Sequence, residues 1–296
     1  MKTHLDCIPC FFKQALEASK LAGAGKHQQK KILDKVCRAV LKFSLNLAPP
    51  HMGRKIYKIV INETKNKDPF YAVKQKSNNL ALKLYPKLKR KIVHSRDRIF
   101  TAVELAIAGN IIDFGVKNSY KVEEELQEFL KGNFNVHSKH SREVFSYQDF
   151  KRDLKKAKLI LYLGDNAGEV VFDKLLIEEI KRAWPNKEVV YAVKKSPIIN
   201  DALEEDAYFC GLDKYAEIIS SGSDAPGTFL SLCSANFKKL CKKADMIISK
   251  GQGNFESLSG ENVSIYFLFK AKCPMVAKEV GCCLSDVVLK HQLKDG

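Results

Sequence analysis

The sequence predicts an α/β protein, with a mainly helical first half followed by a Rossmann-like domain whose parallel sheet lies between two helical layers. Two observations carry this. From about residue 158, short apolar runs at Leu159–Leu163, Val189–Val193, Glu217–Ser220, Met246–Ser249 and Ile265–Phe269 alternate with stretches long enough for a helix. That alternation marks βαβ units. Before it, apolar residues recur at helical spacing. The division falls near 150, giving residues 1–150 as a helical N-terminal domain and 151–296 as the α/β domain.

Taken in order, Phe11, Phe12, Ala15, Leu16 and Leu21 form a helical stripe behind Pro9, which a first turn accepts. Gly23-Ala24-Gly25 breaks it. A second stripe, Ile32, Val36, Ala39, Val40, Phe43 and Leu47, is expected to end at Pro49-Pro50. Further helices are expected around Ile56/Ile59/Val60, around Leu80/Leu82/Leu84, and over 99–112. In the last of these Glu104, Asn110 and Asp113 interrupt an apolar segment, where burial without partners is costly. Asn110 and Asp113 stand three apart on one helix face and either support a polar site or cap the helix before Gly115. The run Leu159–Leu163 is a strand buried on both faces. Val171, Leu175, Ile177 and Ile180 place a helix after it, and Phe229–Lys243 is expected to be another.

The net charge of +16 is unevenly spread. Residues 1–150 carry 28 Lys+Arg against 14 Asp+Glu, while 151–296 carry 22 against 20. Such a field attracts anions, whether phosphorylated metabolites, nucleic acid or an acidic partner. Apolar residues interrupt it throughout, which favours a solvated lysine-rich helical surface. No apolar run reaches the roughly 18 residues of a membrane span, and the first residues lack the apolar core of an export signal. A cytoplasmic protein is expected, with no membrane partner. The nine cysteines are odd in number and scattered, so thiols are expected rather than a disulfide framework.

In a parallel sheet the loops that follow the strands emerge at one edge, where open α/β sheets bind ligands. The first loop, Gly164-Asp165-Asn166-Ala167-Gly168-Glu169, presents two oxygen donors side by side. They suit a hard divalent cation such as Mg²⁺ or Mn²⁺, although Asp-Asn ahead of a glycine is also turn chemistry. Asp201, in the second loop, completes a set of two carboxylates and an amide. The third loop, with Ser221, offers hydroxyls and backbone amides to an anion at a helix N-terminus. The fourth, Lys250-Gly251-Gln252-Gly253-Asn254-Phe255-Glu256, offers a fixed positive charge. The candidate catalytic residues are Asp165, Asp201 and Lys250, and the candidate metal ligands Asp165, Asn166 and Asp201. Glu169, Ser221, Asn254, Asn110 and Asp113 are candidate substrate-binding residues. The set fits phosphoryl transfer to water. Asp165 either attacks phosphorus itself or holds metal while a coordinated water attacks. Two positions on stands Ala167, where phosphatases of the haloacid dehalogenase type have a second Asp, which favours the metal-and-water version.

These motifs, together with Ala108-Gly109-Asn110-Ile111-Ile112-Asp113-Phe114-Gly115, Pro197-Ile198-Ile199-Asn200-Asp201-Ala202, Asp68-Pro69-Phe70 and Ala271-Lys272-Cys273, resemble the damage-control phosphatases, formerly grouped as family of unknown function number 89. Cys7-Ile8-Pro9-Cys10 is similar to the mark of the family's prokaryotic branch. The resemblance implies a helical portion joined to a Rossmann-like domain. It also implies a phosphatase using Mn²⁺, Co²⁺, Ni²⁺ or Mg²⁺ on sugar phosphates or damaged phosphometabolites. By position, the family's metal-binding Asp-Asn pair falls on Asp165 and Asn166, its third ligand on Asp201, and its phosphate-side lysine on Lys250.

Other readings are weaker. Gly251-Gln252-Gly253 begins like a dinucleotide fingerprint, but Glu256 stands where Gly or Ala belongs, and the motif follows a late strand. His4, Cys7 and Cys10 could supply three ligands to a structural zinc, hold redox thiols, or simply pack. A nucleic-acid-binding protein using the basic helical half is the alternative from another class, though without a binding motif.

Overall fold

The computed structural model describes residues 1–111 and 144–294, the side chains of residues 110 and 111 excepted. Among these, helices α1 (Cys7–Leu21), α2 (Lys26–Leu41), α3 (Pro49–Thr64), α4 (Tyr71–Val93), α5 (Arg98–Ile111) and α6 (Tyr147–Lys156) precede the sheet. Strands β1 (Leu159–Leu163), β2 (Glu188–Val193), β3 (Glu217–Ser220), β4 (Met246–Lys250), β5 (Ile265–Lys270) and β6 (Val287–Gln292) follow. They are interleaved with α7 (Glu169–Ala183), α8 (Glu204–Phe209), α9 (Ala235–Lys243), α10 (Gln252–Leu258) and α11 (Pro274–Val280). The strand order is β3-β2-β1-β4-β5-β6. The first five strands pair in parallel, and β6 runs antiparallel to β5. The five parallel strands fall on the five apolar runs of the sequence. The sixth was not foreseen, and it makes the sheet mixed.

Period-two alternation sorts the strand residues between two cores. Ile160, Tyr162, Val189, Tyr191, Met246 and Ile248 face α4, α5, α6 and α7. Leu161, Leu163, Val190, Ile247, Phe267 and Phe269 face α9, α10 and α11. Helices α1, α2 and α3 pack mainly on one another, around Phe11, Ile32, Val36, Met52 and Ile56. They reach the α/β part through Ile198, in the loop after β2.

Two local expectations need correcting. Pro49 does not end the second helix, which stops at Leu41; it opens α3, with Pro in the first turn. A proline lacks only an N–H that the first turn leaves unpaired, so a residue that would break a helix interior is at home where a helix starts. Nor does one helix run over 229–243. A short 3₁₀ turn at Leu230–Leu232 ends at Cys233, and Ser234 then caps α9 by accepting the Phe237 N–H at 3.1 Å.

Candidate active site

In this strand order the chain runs outward from β1 through β2 to β3 and then crosses back to β4 on the other side of β1, so the order reverses between β1 and β4. The crevice therefore opens beyond the carboxyl end of β1. Glycine at 164 is obligatory there, because a Cβ would lie 2.5 Å from the Tyr191 hydroxyl. Asp165 and Asn166 follow. The second loop is sewn to them through the backbone: Ala202 N–H donates to the Asp165 carbonyl at 2.8 Å and Ala167 N–H to the Asn200 carbonyl at 2.9 Å. Asn166 and Asp201 face each other as an antiparallel bridge. The second loop also holds Ile199 at φ 47°, a left-handed conformation that a β-branched residue adopts only under constraint. The structure thus brings Asp165, Asn166 and Asp201 together.

The side chains beneath form a continuous polar network. Asn166 Nδ2 donates to Asp165 Oδ2 at 2.9 Å and to Glu169 Oε1 at 2.7 Å. Two carboxylates on its nitrogen fix the amide's orientation and leave Oδ1 pointing away from them. The other oxygen of Glu169 accepts from Lys250 Nζ at 3.2 Å, and Lys250 also donates to Asp173 Oδ1 at 2.6 Å. Asp173 accepts from the Tyr162 and Tyr191 hydroxyls as well, each at 2.8 Å. The two tyrosines are register partners on β1 and β2, so both reach the same face of the sheet.

Electrostatically the site is overloaded with negative charge. Asp165, Glu169, Asp173 and Asp201 are all at most 8% exposed, and the buried ammoniums beside them are Lys194 and Lys250. Burial, then Glu169 and Asp201, hold the Asp165 carboxyl well above its ordinary range. Asp201 is pushed up to about 6 by burial, against the pull of Lys194. Burial alone would depress the Lys250 ammonium, but Asp173 and Glu169 outweigh it and raise it. Asp201 Oδ2 is buried without a hydrogen-bond donor among the described residues; Lys194 Nζ stands 3.6 Å away and donates instead to the Gly227 carbonyl at 2.5 Å. An orphaned buried acceptor amid excess carboxylate is what a divalent cation would satisfy. Gly251, at φ 82°, walls the same pocket: a Cβ there would fall 1.9 Å from Asp165 Oδ2. These residues therefore fit a hard divalent ion.

The other candidates take different places. Lys250 points inward, its charge shared between Asp173 and Glu169. Asn254 is committed to the scaffold: its Nδ2 donates to the Gly164 and Lys250 carbonyls and its Oδ1 accepts from Thr228 Oγ1. Ser221 is buried, and its Oγ accepts the Ser223 N–H at 3.3 Å. Asp113 and the Asn110 side chain lie outside the described residues. Among the described residues no three His, Cys, Asp or Glu side chains are grouped to hold a metal by themselves; the Asp165–Asn166–Asp201 set counts two carboxylates and an amide. Cys7 is buried and Cys10 exposed, both as free thiols in the first turn of α1.

Two residues were missed in the sequence, and a third, Lys272, stood there only within the Ala271-Lys272-Cys273 motif, without a role. Asp173 stands one turn after Glu169 among buried apolar residues of the same helix, a signal that was available. Lys194 ends up within reach of Asp201 only through folding. Lys272, exposed at the end of β5, lies within electrostatic reach of Asp165.

Comparisons with known proteins identify the family and its fold. The family model described as the damage-control phosphatase ARMT1-like domain matches residues 3–288. A damage-control phosphatase of Pyrococcus horikoshii is 39% identical over 283 residues, covering 95% of this chain and 94% of that one. A damage-control phosphatase of Archaeoglobus fulgidus is 32% identical over 295 residues, covering 98% and 99%. The crystal structure of a DUF89 family protein from Pyrococcus horikoshii superposes with a TM-score of 0.88 at 36% identity, covering 98% of this chain and 99% of that one. With its motifs, its sheet and these relatives in agreement, the chain belongs to the ARMT1-like family of damage-control phosphatases.

Proposed function

We propose that this protein is a metal-dependent phosphatase that hydrolyses phosphate monoesters of small metabolites, sugar phosphates or damaged phosphometabolites, with the cation held by Asp165, Asn166 and Asp201. The observation that carries this reading is the excess of buried carboxylate at the carboxyl end of β1, with Asp201 Oδ2 lacking a hydrogen-bond donor among the described residues. Membership in a family whose members bear the name damage-control phosphatase supports the reaction class. Mn²⁺, Co²⁺, Ni²⁺ and Mg²⁺ all accept such a donor set.

When bound, a divalent cation supplies Lewis-acid neutralisation of the phosphoryl oxygens and acidifies water. The chain's own residues do the rest. Asn166 is held with its amide oxygen away from Asp165 and Glu169. Glu169 is held by Lys250, so the lysine acts by orienting Asn166. Lys194, buried beside Asp201, and Lys272, within electrostatic reach of Asp165, would offset the charge of a phosphate dianion bound at this site. Asp165 serves as ligand rather than nucleophile in this reading, because Ala167 offers no proton to a leaving group.

The test is a phosphatase screen over sugar phosphates and nucleotides with each of the four metals in turn. The wild-type chain should hydrolyse one class of monoester, and Asp165→Ala and Asp201→Ala should each lower kcat/KM by at least about 10²-fold with the circular dichroism spectrum unchanged. Full activity in both variants would sink the assignment. Binding of generic RNA with a steep salt slope and no hydrolysis would favour the nucleic-acid reading instead.

A further inference from the structure

The metal-site loops have an external brace on α4. Asn78 lies on that helix at 0% exposure, and neither end of its amide is spent within the helix. Its Oδ1 accepts the Gly168 N–H at 2.7 Å, at the close of the first loop. Its Nδ2 donates to Asp206 Oδ1, also at 2.7 Å. Asp206, itself at 0% exposure, accepts the Leu203 N–H at 2.9 Å on its other oxygen, just past Asp201 in the second loop. One turn before Asn78, the buried ammonium of Lys74 lies 3.8 Å from Asp206 and 2.9 Å from Asp68. Asp68 in turn accepts the Phe70 N–H at 3.2 Å, so the Asp68-Pro69-Phe70 motif anchors the start of the same helix.

Burying an asparagine, a lysine and an aspartate between a helix and two loops is costly unless each polar atom has a purpose. Here Asn78 and Asp206 together tie the loop that carries Asp165 and Asn166 to the loop that carries Asp201. We propose that Asn78 and Asp206 form a clamp that sets the spacing between these two halves of the metal site, which makes Asn78 a positioning residue. The proposal rests on Asp165, Asn166 and Asp201 being the ligands. It adds that the backbone bonds between the loops do not suffice to hold them in register.

The test reads metal affinity rather than turnover. The full-length chain, stripped of metal, is titrated with Mn²⁺ alone, and free Mn²⁺ is followed by electron paramagnetic resonance. Asn78→Ala should weaken binding about 10- to 100-fold, the range found when partners that orient metal ligands are removed. Asn78→Asp, which sets two carboxylates against each other, and Asp206→Asn, which leaves the Leu203 N–H facing an amide nitrogen, should each weaken it too. The exchange Asn78→Asp with Asp206→Asn keeps every hydrogen bond and the net charge. It should return the dissociation constant to within about threefold of wild type, the non-additivity expected of a coupled pair. Circular dichroism and thermal melting confirm that the compared variants are folded. Single variants that bind as wild type does overturn the clamp, as does a folded exchange variant that fails to recover. A wild-type protein that binds no Mn²⁺ overturns the metal reading and the clamp together, whereas a binding wild type with insensitive variants overturns the clamp alone.

Discussion

The polar network beneath the site and the ion pairs on the outside of the protein use the same chemical groups at the same distances. Lys250 and Asp173 meet at 2.6 Å with neither side chain exposed. Lys30 and Asp34 meet at 2.5 Å on α2 with 72% and 49% of their side chains exposed. Arg152 and Asp149 meet at 2.6 Å, both more than half exposed. Exposed pairs of this kind contribute about 0–1 kcal/mol, because water competes for both partners. A buried pair has no such competitor, and removing one partner strands the other in a medium that cannot solvate it. The length of an ion pair therefore says little about its weight; burial and the number of groups that depend on it say more. Lys250 has such dependents, since Glu169 and through it Asn166 rely on its position.

Lys250→Met should destabilise the metal-free protein by about 3–5 kcal/mol, as expected when one partner of a buried pair is removed, measured by urea unfolding. A loss under about 1 kcal/mol would place Lys250 in the cheap class with Lys30. Tyr191→Phe comes next. It deprives Asp173 of one neutral donor while leaving its charge partner, so the cost should be about 1–3 kcal/mol; an unchanged urea midpoint would show that Asp173 does not need the second tyrosine.

The smallest effect belongs to Glu63. Lys35 and Lys31 hydrogen-bond its carboxylate and hold it down to about 2. A depressed acid contributes fully above its unfolded value near 4.5 and loses that contribution as pH falls toward 2. Glu63→Gln should therefore differ slightly from wild type above pH 4.5 and converge with it near pH 2, as read from melting temperature against pH. A gap that widens on acidification would reverse the sign and refute the attribution.

How far the sequence could be read depended on whether the signal was local. Four of the parallel strands showed as bounded apolar runs because both of their faces are buried, while β3, half-buried at the sheet edge, showed only through Ile218 and Ile219. Asp165 and Asn166 showed because a strand end is a local feature. β6 did not show: Val287, Val288 and Leu289 pass into Lys290, His291 and Gln292, a run half apolar and half polar. The turn from apolar helix to cap at Ser234 was hidden inside a stretch that keeps helical spacing across the break. Lys250 was placed at the right strand end, but its turn toward Asp173 and Glu169 went unread. Strand parity was available to correct that, since 250 shares a face with Met246 and Ile248, which look toward α7.

By itself, then, the sequence determined the fold class, the order of the parallel strands along the chain and the motif residues at their ends, because these follow from periodicity and from the residues that interrupt it. Only the tertiary structure decided which of those residues look into the crevice. It put Asp201 against Asn166 through backbone bonds between distant loops, gave Lys250 and Asn254 to the scaffold, and enlisted Asp173, Lys194 and Asn78 from positions with no motif of their own. The reason is that a side chain's direction and the partners that neutralise it are properties of the packed interior, where a carboxylate is tolerated only next to the groups that the whole fold brings to it.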